Sequence, residues 1–181
     1  LAHDYLKYVT SIQSPSLNDL MREHGQDVWN YAFLLTKNHH VSDDIAQEVF
    51  LQAFLHISSF RGQSSVRTWL FSITRNLVIN QKKSAFFRKV TLLDFLYPAP
   101  SAPSAEEHYM NRAYADSIWL LVLKLPPKYR EVLILDAHYE MPQMEIALLL
   151  RISIGTVKSR LHRARAKMKA YLEEVERHER S

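Results

Sequence analysis

The 181-residue sequence predicts an all-α fold of two small helical domains joined by a flexible linker. Three observations carry this. Apolar residues recur at helical spacing along both halves, with no sustained period-two alternation. Pro98, Pro100 and Pro103 fall in the stretch PAPSAPS (98–104); proline blocks helix and removes backbone donors, so this stretch reads as extended. Only three glycines, Gly25, Gly62 and Gly155, occur in the chain, too few for turn-rich β architecture, a glycine-rich phosphate loop or a dinucleotide fingerprint. With 47% hydrophobic residues the chain can build packed cores. It has no cysteine, which excludes disulfides, thiolate zinc sites and a cysteine nucleophile.

Helices are expected near residues 17–37, 43–58, 65–88, 106–124, 128–138, 142–150 and 154–178. The domains are then 18–90 and 113–178, with an extension over 1–17 and a linker over 91–112. The longest aliphatic and aromatic run, Ile118–Leu123, is far too short to span a bilayer. No signal peptide opens the chain, so a cytoplasmic protein without stable membrane insertion is expected.

In the helix from Asp43, Ala46, Phe50, Ala53 and Ile57 share one face as a core stripe. Asp44, Glu48, Leu51 and Leu55 share another. Leucines among carboxylates form a docking patch or, alternatively, pack against the preceding helix. Asp43 and Asp44 follow Ser42, so capping and the helix dipole account for part of their presence. No third ligand or partner histidine stands at suitable spacing, so neither a metal nor a catalytic acid–base site is expected. His39-His40 sit beside a helix end and need no metal.

The loop Phe60-Arg61-Gly62-Gln63-Ser64-Ser65 precedes a helix whose buried stripe is Val66, Trp69, Leu70, Ile73 and Leu77. Arg67, Phe71, Arg75 and Lys82 fall opposite. Cations that follow phosphates and a ring that stacks on a base suit single-stranded nucleic acid. Asn80 falls near the apolar face, as a structural hydrogen-bonding residue.

Near the C-terminus, Ile146, Leu149 and Leu150 make the apolar face of a short helix. Ser153 is a natural N-cap for the next, with Thr156 in its first turn. Along that second helix Val157, Leu161, Ala164 and Met168 cluster on one side, and Lys158, Ser159, His162 and Arg163 on the other. Short helix, tight turn and a helix with an apolar back and basic front describe a helix-turn-helix unit. Lys158 and Arg163 suit guanine acceptors, Ser159 and His162 act at shorter range, and Thr156, Arg160, Arg165 and Lys167 flank them at phosphate reach. Gly155 leaves the helix N-terminus open to a phosphate.

Charge supports a polyanion partner. The formal net charge is +4, and residues 151–169 carry seven cations and no acid. Glu173, Glu174, Glu176 and Glu179 then follow. A basic run alone fits a solvated helix face equally well.

LPPKYREVLIL (125–135), MEIALLL and SIGTVKSRLHRARAKM resemble the fourth conserved domain of extracytoplasmic-function sigma factors, of the sigma-70 superfamily. SDDIAQEVFLQAFLHISSF (42–60) and FRGQSSVRTWLFSITRNLVINQKK (60–83) resemble their second domain. The resemblance implies promoter-specific transcription initiation with core RNA polymerase. It implies −35 recognition by Thr156, Lys158, Ser159, Arg160, His162, Arg163 and Arg165. Around a base flipped from the −10 element it implies Phe60, Arg61, Gly62, Ser65, Arg67, Arg75 and Asn76, with Trp69 more suited to core packing. For docking on the coiled coil of the polymerase largest subunit it implies Asp43, Asp44, Gln47, Glu48 and Leu51. An anti-sigma factor is expected as a further partner. No cofactor, metal or catalysis is implied. A duplex-binding regulator lacks the melting-type segment, and a nucleic-acid enzyme needs a carboxylate cluster or nucleophile–base pair. Arg151 stands where the family carries glycine; a left-handed turn there costs arginine about 1 kcal/mol or more unless the turn differs.

Overall fold

The computed structural model describes residues 17–57, 60, 62–92 and 117–179. Among these, the regular elements are helices: α1 (Leu17–Thr36), α2 (His39–His56), α3 (Val66–Leu92), α4 (Ser117–Lys124), α5 (Pro127–Ala137), α6 (Gln143–Leu150) and α7 (Ile154–Glu179). The chain divides into two compact units, residues 1–84 and 85–181. The prolines of 98–104, the helix expected over 106–116, the extension over 1–16 and Arg61 lie outside the described residues.

In the first unit Leu20, Val28 and Ala32 of α1 meet Ile45, Val49, Phe50 and Ala53 of α2 and Leu70 and Val78 of α3. Each of the larger side chains among these, withdrawn from water, contributes about 1.5–3 kcal/mol. Ile45 and Val49 are deeper than Ala46 and Ile57 of the expected stripe, which lie at its margin. Residue α2 starts from also differs: the helix begins at His39, capped by Asn38, whose Oδ1 accepts from the Val41 amide at 3.0 Å. Ser42 is therefore not the cap. It is buried, donating its hydroxyl to Asn38 O at 2.7 Å. Asp43 and Asp44 sit beyond the first turn, where capping and dipole arguments fade.

Helix α3 buries more than the expected stripe. Leu70, Phe71, Thr74 and Val78 are its deepest residues, while Val66, Trp69, Ile73 and Leu77 are only partly covered. Phe71 stacks on Tyr31 of α1 at 4.5 Å between ring centroids. Arg67 stands 4.0 Å from the Asp27 carboxylate. Lys82 Nζ donates to Leu35 O at 2.8 Å, satisfying a carbonyl in the last turn of α1. The face holding Arg67, Phe71 and Lys82, read from sequence as a nucleic-acid surface, thus makes contacts with α1.

In the second unit Pro127 opens α5 at its first helical position, where its missing N–H costs nothing. Arg130, 4% exposed, donates from Nη1 to Leu123 O at 3.1 Å at the end of α4; burial lowers its pKa, with Glu131 opposing. Val157, Leu161 and Ala164 of α7 are buried with Ile146, Leu149 and Leu150 of α6.

The α6–α7 turn is set at two residues. Arg151 adopts φ 55°, ψ 48°, left-handed. Its amide donates to Leu148 O at 3.2 Å, and that of Ile152 to Ala147 O at 3.0 Å, the paired bonds of a Schellman cap. The turn is therefore the left-handed one, built on arginine. Ser153 Oγ then accepts from the Thr156 amide at 3.1 Å and starts α7.

Candidate nucleic-acid and partner interfaces

The basic front of α7 is present and subdivided. Lys158, Ser159, His162, Arg163, Arg165 and Lys169 are exposed, with Arg160 and Thr156 half-exposed. Lys158, His162, Arg165 and Lys169 recur at intervals of four, three and four, so they form one stripe along the helix. With Leu161, Ala166 and Gln143 of α6 they line an open groove. Lys169 lies outside the set expected from sequence, although the same spacing puts it on the stripe.

Several expected readers have protein partners. Thr156 Oγ1 lies 2.9 Å from Ser153 Oγ, within the cap. Ser159 donates its hydroxyl to Thr156 O at 3.1 Å. Arg163 hydrogen-bonds the Tyr129 phenol and, with nearby Lys128 and Lys167, lowers its pKa. Arg165 Nη2 meets Asp136 Oδ2 at 2.7 Å. A Cβ at Gly155 would meet nothing closer than Ser153 Oγ at 3.8 Å, so the protein itself does not require glycine there.

The set expected around a flipped base is less coherent. Gly62 has φ 66° with open space around it, as a tight exposed turn requires. Phe60 rests its ring on Trp69 at 5.0 Å. Ser65 is the N-cap of α3: its Oγ accepts from the Thr68 amide at 3.1 Å and lies 2.9 Å from Thr68 Oγ1. The Ser-x-x-Thr device that opens α7 recurs here. Arg67 faces Asp27, Arg75 is half-exposed, and Asn76 is exposed about 100° further round the helix from Arg75. Phe71 is fully buried and offers no ring to a base. Asn80 is exposed, not set near the core.

The outer face of α2 is apolar and acidic. Leu51, Phe54 and Leu55 are 52, 56 and 62% exposed, so the leucines do not pack on α1. Phe54 completes this patch at the spacing i, i+3, i+4 and escaped the sequence reading because it neighbours the core residue Ala53. Asp44, Gln47 and Glu48 are exposed one to two turns earlier, Glu48 accepting from Gln52 Nε2 at 2.9 Å. Asp43 is engaged: Trp29 Nε1 donates to its Oδ1 at 2.6 Å. The Trp29 ring adjoins Phe33 and His39, which occupies the start of α2. Among the described residues no cluster of three metal-ligating side chains occurs, and no helix is long and apolar enough to cross a membrane.

Comparison with known proteins agrees with this geometry. Residues 20–86 match the family model of sigma-70 region 2, and residues 115–168 that of sigma-70 region 4. The chain is 33% identical to the RNA polymerase sigma factor YlaC of Bacillus subtilis, over 85% of this chain and 90% of that protein. It is 28% identical to the ECF RNA polymerase sigma factor SigW of the same organism, over 94% and 96%. Its fold resembles the sigma factor RpoE crystallised with the anti-sigma factor NepR from Bartonella quintana (TM-score 0.64, 23% identity, 86% of this chain and 97% of that one). It also resembles CnrH in complex with the cytosolic domain of CnrY (TM-score 0.61, 26% identity, 91% and 92%). Helical units matching regions 2 and 4, together with this identity across nearly the whole of a sigma factor, place the chain in the family of extracytoplasmic-function RNA polymerase sigma factors.

Proposed function

We propose that the chain is a promoter-specificity subunit without catalysis of its own, acting in the cytoplasm, whose two domains divide the work. The domain over 18–90 docks on core RNA polymerase through the outer face of α2 and engages the −10 element through the loop from Phe60 to Ser65 and the exposed part of α3. The domain over 113–178 reads the −35 element as duplex through α7, and residues 91–112 tether the two. The observation that carries this reading is the stripe Lys158, His162, Arg165 and Lys169 on the second helix of a helix-turn-helix unit. Cations along one face attract phosphates regardless of sequence, while Lys158 and His162 carry donors suited to base edges. Two weak modules on one tether gain from effective concentration, so the pair holds a promoter more tightly than either alone.

Anti-sigma partners named for the RpoE and CnrH structures support a partner of the same kind here, covering the α2 and α7 faces. The experiment is transcription in vitro with core polymerase on a promoter library. Lys158→Ala plus His162→Ala removes −35-dependent initiation and leaves core binding intact; retention of −35-dependent initiation refutes the assignment of α7.

A further inference from the structure

The basic front of α7 meets a carboxylate that comes from another helix. Asp136, in the last turn of α5, places Oδ2 2.7 Å from Arg165 Nη2. The side chain of Asp136 is 16% exposed and that of Arg165 is 62% exposed. The carboxylate is therefore held in the protein, while the guanidinium reaches the groove beside Lys158, His162 and Lys169.

On the reading of α7 as a duplex-binding helix, we infer that Asp136 is a brake on phosphate binding, cancelling the charge of Arg165 and setting the salt dependence of the domain. A guanidinium carries five N–H donors in a rigid fork, so a phosphate can use those that Asp136 leaves free. That phosphate then lies about 7 Å from the carboxylate, inside one Debye length, and is repelled by it. Arg165 thus contributes less counterion release than Lys158, which lines the same groove with no carboxylate against it among the described residues. Since phosphate contact carries no sequence information, the brake lowers affinity for every duplex alike. It keeps the free protein from adhering to bulk DNA.

The test is binding of the full chain to a labelled random-sequence duplex, followed by fluorescence anisotropy across a salt titration. Asp136→Asn tightens binding about three- to tenfold and steepens the slope of log K against log salt by about one unit. Asp136→Ala moves both in the same direction. With Arg165→Ala already present, adding Asp136→Asn changes affinity by less than about twofold. Equal or weaker binding by both Asp136 variants, with thermal unfolding unchanged, overturns the inference and makes the pair a device for orienting Arg165. If Lys158→Ala and Arg165→Ala bind as tightly as the parent, the duplex-binding reading of α7 itself fails, and the inference with it.

Discussion

Phe71 of α3 lies against Tyr31 of α1 with ring centroids 4.5 Å apart and planes 22° from parallel, both rings fully buried. A residue whose helical position suits base stacking is instead part of the joint between two helices. Phe71→Ala should cost about 3–5 kcal/mol through lost contact and the cavity left behind. Chemical denaturation of the full chain followed by helical signal measures this. Impaired promoter opening with unchanged stability would return Phe71 to the nucleic-acid surface.

Three left-handed positions in the described residues are occupied by long side chains: Lys37 (φ 55°), Glu140 (φ 51°) and Arg151 (φ 55°). A sequence with three glycines spends none of them here. Lys37→Gly, Glu140→Gly and Arg151→Gly should each stabilise the fold by about 1 kcal/mol by removing the Cβ clash. Calorimetry reads this as a rise in Tm of a few degrees per substitution. A fall in Tm for Arg151→Gly would show that its side chain compensates the strain.

The outer face of α2 separates folding from docking. Phe54→Ser and Leu55→Ser remove exposed apolar surface, so they should shift stability by less than about 0.5 kcal/mol while weakening core polymerase capture at least tenfold. Asp43→Ala behaves in the opposite sense, costing about 0.5–1.5 kcal/mol through loss of the Trp29 indole hydrogen bond. Thermal unfolding and a pull-down with core polymerase give the two columns of the comparison; equal capture by Phe54→Ser removes this face from the interface.

Tyr129 supplies a pH signature. The Arg163 hydrogen bond favours the phenolate, so the folded-state pKa lies below the ordinary 10.0. Below the folded value both states keep the proton and the residue adds nothing to stability. Its contribution grows as pH rises through the folded value and is complete above the unfolded one. Tyr129→Phe should therefore lose stability relative to the parent as solutions become alkaline, and the phenolate absorbance missing from it should appear at higher pH in Arg163→Gln. An unchanged titration in Arg163→Gln would rule out the contact.

Among the described residues helical type was legible because both domains are amphipathic at one period, and the C-terminal cap at Ser153 is a purely local signal. Failures came where a partner is distant in sequence. Lys82 finds a carbonyl 47 residues away and Arg165 a carboxylate 29 residues away; nothing beside either residue announces this. Helix α3 is buried on more than one side, so a single apolar stripe understated its core and freed Phe71 wrongly. The start of α2 was misplaced because Asn38 and Ser42 are both good caps by composition, and only packing decides that Ser42 points inward. Ser65 has the same capping signature as Ser153, and the hydroxyl that caps α3 is the one the family resemblance implies beside the −10 element.

Helix α7 has 26 residues, about 39 Å of rigid rod, with cations over 158–169 and Glu173, Glu174 and Glu176 beyond them. The peptide dipoles of the helix point the same way, positive toward the N-terminus. In the field of a polyanion such a rod experiences a torque as well as a pull, and it swings its leading end forward before any atom touches. Collisions are thereby sorted by orientation, so the arrangement quickens productive encounters more than it prolongs residence, an advantage that concentrated electrolyte erases.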